Sequence, residues 1–125
     1  MTNPWKVDVR IDERPEGKVA YVTIDHRAKL NCLSAGLMRD FIETMGTLAN
    51  DDTIRAAVLT GGGDKSFVAG ANMNELRELD PASARAFLTL VHGVCKACRD
   101  FPVPVIARIN GPCFGAGLEL AAACD

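Results

Sequence analysis

Two short segments hold residue types that can stabilise a developing oxyanion. After an apolar run, Val105 to Ile109, the chain continues Asn110-Gly111-Pro112-Cys113-Phe114-Gly115-Ala116-Gly117-Leu118-Glu119-Leu120. This reads as a strand, an Asn-Gly turn, a glycine-rich loop and a helix start with one carboxylate just inside it. The first N–H groups of a helix have no intrahelical acceptor, so a backbone donor and an acid face the same space. Earlier, Phe67-Val68-Ala69-Gly70-Ala71-Asn72-Met73-Asn74-Glu75-Leu76 forms a second bend of small residues, again between a strand and a helix, where a second N–H can be presented. Together they are the equipment for stabilising an oxyanion.

Each feature also has a plainer reading. The Ala69-Gly70-Ala71 bend alone is a tight chain reversal, and Gly115 to Gly117 alone is close helix–strand packing. A dinucleotide fingerprint fails because its third glycine is Leu120. Gly61-Gly62-Gly63-Asp64-Lys65-Ser66 fails as a phosphate loop because Asp64 places a negative charge where a phosphate must sit, which leaves a hydrated turn. Glu119, flanked by Leu118 and Leu120 and followed by Ala121-Ala122-Ala123, falls in a pattern that predicts a buried helix. An unpaired charge is costly there, so Glu119 requires a partner or a catalytic duty.

The elements that must position these residues follow from periodicity. Val7, Val9 and Ile11 alternate with polar residues, and after Pro15-Glu16-Gly17 the run Val19 to Ile24 is apolar, which predicts an antiparallel hairpin. Ser34 is placed to cap a helix whose apolar positions are Leu37, Phe41, Met45 and Leu48, ending near Asn50. Ala56 to Thr60 is a buried strand stopped by the glycine triplet. Asp80-Pro81 opens a helix carrying Ala84, Phe87, Leu88, Val91, Val94, Cys95 and Cys98 on one side, and Phe101 to Pro104 ends it. Strands separated by long helices need crossovers, so the order predicts an α/β fold with parallel pairing after the hairpin.

Composition narrows the function classes. With 125 residues the chain is one domain at most, and a net charge of −2 gives no field for a polyanion, so no nucleic-acid partner is expected. There is no apolar run of about 18 residues, and no apolar core to a signal segment before Asp12, which predicts no membrane association and a cytoplasmic location, or an organelle lumen after removal of a targeting segment. The odd set of five cysteines, without a secretory signal, reads as reduced thiols. Cys95-Lys96-Ala97-Cys98 lies within a helical pattern and lacks further ligands for a tetrahedral site, so no metal is expected and small buried residues are the stronger reading.

Three segments, in order, resemble the crotonase family of enoyl-CoA hydratases and isomerases. Arg27-Ala28-Lys29-Leu30-Asn31-Cys32-Leu33-Ser34 is similar to its K-x-N-A-L-S stretch, Phe67 to Asn72 to its F-x-A-G-A-D, and Pro104 to Leu120 to its K-P-V-I-A-x-V-N-G…G-G-G-x-E-L. The resemblance implies a spiral of ββα units, acyl-CoA thioester ligands with no separate cofactor, and homotrimers or dimers of trimers. It carries the oxyanion donors onto the N–H groups of Ala71 and Ala116 and the catalytic carboxylate onto Glu119. It carries contacts with the acyl-CoA onto Lys29, Leu30, Ala69, Gly70, Asn72, Met73, Asn74 and Gly115. The chain departs from the pattern at Ala116, where the middle glycine is usual, at Asn72, where Asp is commoner, and at Asn74, where a basic residue is frequent. Residues 1–125 are then expected to be the N-terminal part of one crotonase-like domain, with its C-terminal part, and the second acid of the family's hydratases, outside the chain. Hydration of a trans-2-enoyl-CoA is the implied reaction. Isomerisation, another lyase reaction of a thioester enolate, or a non-catalytic acyl-CoA-binding or assembly subunit are the alternatives.

Overall fold

The computed structural model describes residues 3–125. Strands β1 (Lys6–Arg14) and β2 (Gly17–Asp25) form the antiparallel hairpin, with Val9 opposite Val22 and Ile11 opposite Ala20. From β2 the chain passes through a 3-10 turn at Arg27–Lys29 and helix α1 (Ala35–Ala49) to β3 (Ile54–Gly61), which pairs parallel to β2 with Val22 level with Leu59. Helices α2 (Met73–Arg77) and α3 (Pro81–Arg99) then lead to β4 (Val105–Arg108), parallel to β3 with Ala57 level with Val105. The sheet order is β1-β2-β3-β4, and helix α4 (Ala116–Ala122) follows. This is the α/β arrangement that the strand and helix spacing predicts.

The period of two along the strands sets the core. Ala20, Val22 and Ile24 of β2, Ala57 and Leu59 of β3, and Val105 of β4 point to one face and are buried. Leu37, Met38, Phe41 and Met45 of α1 and Phe87, Val91, Val94, Cys95 and Cys98 of α3 are buried in the same cluster. Complete burial of each large apolar side chain is worth about 1.5–3 kcal/mol, which is how these helices are held. Leu88, assigned by spacing to the inner side of α3, is instead 54% exposed, because the buried stripe runs through Phe87, Val91, Val94 and Cys98 and leaves the next position outside.

Helix starts are set locally. The Ser34 hydroxyl accepts from the Leu37 N–H at 3.2 Å. Asp80 and Ser83 form a reciprocal capping box, with the Asp80 carboxylate accepting from the Ser83 N–H at 2.8 Å and the Ser83 hydroxyl accepting from the Asp80 N–H at 2.9 Å. That bond to the Ser83 N–H holds the Asp80 carboxyl below its ordinary pKa.

Two asparagines fasten the loops above the parallel strands. Asn31, buried and with φ of +58°, accepts from the His26 N–H at 2.7 Å and donates to the carbonyls of Gly62 at 2.9 Å and Ser66 at 3.1 Å. Asn110 accepts from the Gly61 N–H at 3.2 Å and donates to the Gly61 carbonyl at 2.9 Å. The Ser66 hydroxyl lies between the carbonyls of Leu30 and Pro112, at 2.9 and 3.2 Å. The glycine triplet is therefore a junction of three loops, with only Gly63, Asp64 and Lys65 exposed as a hydrated turn. Replacing Asn31 with Ala leaves one buried N–H and two carbonyls without this partner and is expected to lower the unfolding free energy by about 2–4 kcal/mol, read from urea unfolding. A change below about 0.5 kcal/mol would contradict the role given to this side chain.

Candidate active site

Residues 68–72 make two lateral contacts, each a single parallel bridge. Leu33 pairs with Ala71, and Val68 pairs with Cys113. In the first bridge the Leu33 N–H donates to the Gly70 carbonyl at 2.8 Å and the Asn72 N–H donates to the Leu33 carbonyl at 2.9 Å. A parallel bridge engages the residues on either side of Ala71, so the Ala71 N–H points away from Leu33, and it has no hydrogen-bond partner among the described residues. In the second bridge the Phe114 N–H donates to the Val68 carbonyl at 3.3 Å, which starts the loop 113–117 alongside 68–70.

Close approach fixes the contact between the two segments. A Cβ on Gly117 would fall 2.0 Å from the Val68 carbonyl oxygen, a clash with backbone that cannot rotate aside. A Cβ on Gly115 would already lie 3.9 Å from the Gly70 Cα. Both Gly70 and Gly115 have positive φ, +128° and +53°, which side chains oppose, so each of these glycines turns the chain immediately before a donor residue. Ala116 is the first residue of α4, and its N–H has no acceptor among the described residues, whereas the next N–H, of Gly117, donates to the Phe114 carbonyl at 2.9 Å. Ala71 and Ala116 thus each carry an N–H without an acceptor among the described residues, each directly after a glycine of positive φ.

The residues inferred to contact an acyl-CoA gather beside Ala71. Lys29, Leu30, Ala69, Asn72, Met73 and Asn74 line, with Ala71 and Cys32, a cleft of about 240 Å³. Gly70 and Gly115 stand at the contact between the two loops, and Ala116 and Glu119 do not line this cleft. Leu30 adopts φ of +54° and remains 47% exposed, an uncommon conformation for a branched residue, stabilised by its carbonyl bonds to Ala69 and Ser66. Burial pushes the Cys32 thiol up, against a hydrogen bond from Asn72 at 3.6 Å.

Glu119 stands one turn into α4, its N–H donating to the Gly115 carbonyl at 3.0 Å. Its side chain is exposed, as are Leu118 and Ala122, which corrects the buried helix predicted from sequence. Only Gly117 and Leu120 of α4 are buried, because this seven-residue helix meets the rest of the chain along one narrow line. The cost of burying an unpaired charge therefore does not arise within these residues, and the case for Glu119 rests on its place three residues after a free N–H. Cys95 and Cys98 are buried on α3 as the helical pattern predicts, and Cys124, after α4, shares a hydrogen bond with Cys98 that together with burial pushes the Cys98 thiol up.

Sequence reasoning assigned no role to Asn31, Asn110 or Glu75. The pattern Asn72-x-x-Glu75 is a helix-start signal that could have marked the last of these. In the structure Asn72 does cap α2, accepting from the Glu75 N–H at 3.1 Å, but the Glu75 carboxylate reaches another helix.

The chain is similar to known proteins over most of its length. The enoyl-CoA hydratase/isomerase family model matches residues 14–125. A short-chain-enoyl-CoA hydratase of Clostridium acetobutylicum is 40% identical over 110 residues, covering 88% of this chain and 42% of that protein. A crotonyl-CoA hydratase of Syntrophomonas wolfei is 34% identical, with 88% and 42% covered. The crystal structure of an enoyl-CoA hydratase from Bacillus anthracis superposes with a TM-score of 0.85 at 28% identity, covering 94% of this chain and 45% of that one. The chain thus spans about two-fifths of the length of the curated relatives it matches.

Amide hydrogen exchange tests the two donors directly. The Ala71 and Ala116 N–H groups are expected to exchange with little protection while those of Leu33, Asn72 and Gly117, all hydrogen-bonded, are protected. Equal protection at all of these positions would mean that the two groups are not free.

Proposed function

Because the chain belongs to the enoyl-CoA hydratase/isomerase family, we propose that it hydrates a trans-2-enoyl-CoA through a thioester enolate held by the Ala71 and Ala116 N–H groups. The observation that carries this reading is a pair of unpartnered N–H groups, of Ala71 and Ala116, each following one of the two glycines, Gly70 and Gly115, that approach one another. The names of the relatives above, short-chain-enoyl-CoA hydratase and crotonyl-CoA hydratase, support the substrate class.

In this mechanism the thioester oxygen accepts from both N–H groups. Glu119 takes a proton from water as the water oxygen bonds to the β-carbon, and the electrons of the double bond move onto the carbonyl oxygen. The enolate collapses as the proton taken by Glu119 is passed to the α-carbon, which restores the carboxylate and adds the elements of one water across the double bond. Each preorganised donor is worth about 3 kcal/mol at the transition state. Proton transfer by a positioned carboxylate contributes a further factor of roughly 100 to 10,000. No cofactor beyond the coenzyme A of the substrate is part of the proposal. The cleft at Lys29, Leu30, Ala69, Asn72, Met73 and Asn74 takes the coenzyme A portion next to Ala71.

A trimer or dimer of trimers in the cytoplasm belongs to the same proposal. Ile106, Ile109, Phe114 and Leu118 are each more than half exposed and form apolar surface around β4 and α4 that further contacts would cover. Among the described residues no helix is long and apolar enough to cross a membrane.

Turnover of crotonyl-CoA by the intact gene product tests the proposal. Glu119→Gln is expected to lower kcat at least about 100-fold with acyl-CoA affinity within a few-fold, since the amide keeps the shape but accepts no proton. Ala71→Pro, which removes the N–H, is expected to damage turnover far more than Ala71→Ser, which keeps it. Near-wild-type turnover in Glu119→Gln would overturn the acid–base role, and equal losses in the two Ala71 variants would assign that position to packing. Double-bond migration without water addition would select an isomerase.

A further inference from the structure

Glu75 has no part in the chemistry above, yet its carboxylate is placed at a cost. One oxygen accepts from the Ala35 N–H at 3.1 Å, while the other is buried with no hydrogen-bond partner in the described structure. A carboxylate oxygen removed from water without a partner costs free energy, so the placement calls for a compensating gain. Ala35 is the first residue of α1, where the N–H has no intrahelical acceptor and negative charge is favoured.

The gain lies in what Glu75 is attached to. The backbone around Ala71 is tied to residues 33–35 at three successive points. The Gly70 carbonyl accepts from the Leu33 N–H, the Asn72 N–H donates to the Leu33 carbonyl, and the Glu75 carboxylate accepts from the Ala35 N–H. The first two bonds both go to the single residue Leu33, so the segment around Ala71 can still turn about that attachment together with α2. Helix α2 has five residues and buries none of them, too little to hold its own direction. Glu75 supplies the third tie, and its N–H returns to the Asn72 side chain at 3.1 Å, closing the loop on the residue next to the donor.

We propose that Glu75 is a positioning residue for the Ala71 N–H, fixing its direction by fastening the start of α2 to the start of α1. This rests on the reading of Ala71 as an oxyanion donor. The tie sits at the edge of a cleft of about 550 Å³ between α1, α2 and α3, lined by Ala35 and Glu75 and by Phe87 and Leu90, so it can be cut without opening the packed face of the sheet.

The tie can be cut from either end in the intact gene product. Glu75→Ala removes the acceptor. Ala35→Pro removes the donor at a first helical position, where proline is favoured, and Ser34 before it, at φ −86° and ψ 163°, already has the extended conformation that proline requires. Glu75→Gln keeps an oxygen for the Ala35 N–H. The readouts are crotonyl-CoA kinetics and the absorption band of bound cinnamoyl-CoA, a conjugated thioester whose band moves to the red as its carbonyl is polarised. Glu75→Ala and Ala35→Pro are expected to lower kcat about tenfold with KM within about threefold, and to lose most of the red shift. Glu75→Gln is expected to stay within about threefold of wild type on both measures. A lowered melting temperature with kcat and red shift intact in both tie-cutting variants would make Glu75 merely structural and overturn the proposal, as would a loss in Glu75→Gln equal to that in Glu75→Ala. A wild-type protein that shifts no band and turns over no crotonyl-CoA would overturn the hydratase reading instead.

Discussion

Everything at the candidate site depends on the contact between Gly117 and the Val68 carbonyl. There is no room for a side chain between them, and with the Val68–Cys113 bridge this contact packs the chain before α4 against the segment that leads to Ala71. The Ala71 N–H is free because the bridge to Leu33 engages its neighbours and not Ala71 itself, and the Ala116 N–H is free because it opens α4. Both are consequences of backbone direction and not of side-chain identity.

Holding loops to such tolerance requires polar side chains, because irregular backbone cannot satisfy its own groups. Asn31 ties the loop after β2 to the glycine triplet, Asn110 ties the end of β4 to the same triplet, and Ser66 bridges the two. The sheet core beneath supplies the stability, through Val22, Ile24, Leu59 and Val105 against α1 and α3. Above it these few buried hydrogen bonds convert a stable scaffold into defined loop positions. Glu75 extends the same logic by one further tie.

The sheet and its helices were legible in the sequence because the signals are local. Alternation marks the hairpin, Ser34 and Asp80 mark helix starts, and the length of each crossover dictates parallel pairing. The donor residues were legible only through the order of three segments, since a small-residue bend by itself has many ordinary explanations. Burial of Glu119 is not legible because flanking leucines and alanines describe a helix but not how much surface meets it, and in α4 only Gly117 and Leu120 are buried, with Ala116 and Ala121 partly so. Leu88 was misassigned for a similar reason, lying one position past the buried stripe of α3. The asparagine junction and the reach of Glu75 to Ala35 join residues about 30 to 50 positions apart, and no local pattern encodes such bonds.

The central claim is that the Ala71 and Ala116 N–H groups act together on one oxygen. Acetoacetyl-CoA, a thioester that ionises to an enolate, presents that oxygen as a stable negative charge, and the amide proton shifts of the intact gene product report which donors meet it. Both the Ala71 and the Ala116 amide protons should move downfield together on saturation, with the hydrogen-bonded N–H of Leu33 and Gly117 moving little. A downfield shift at only one of the two, or at neither while the ligand is bound, would contradict the account.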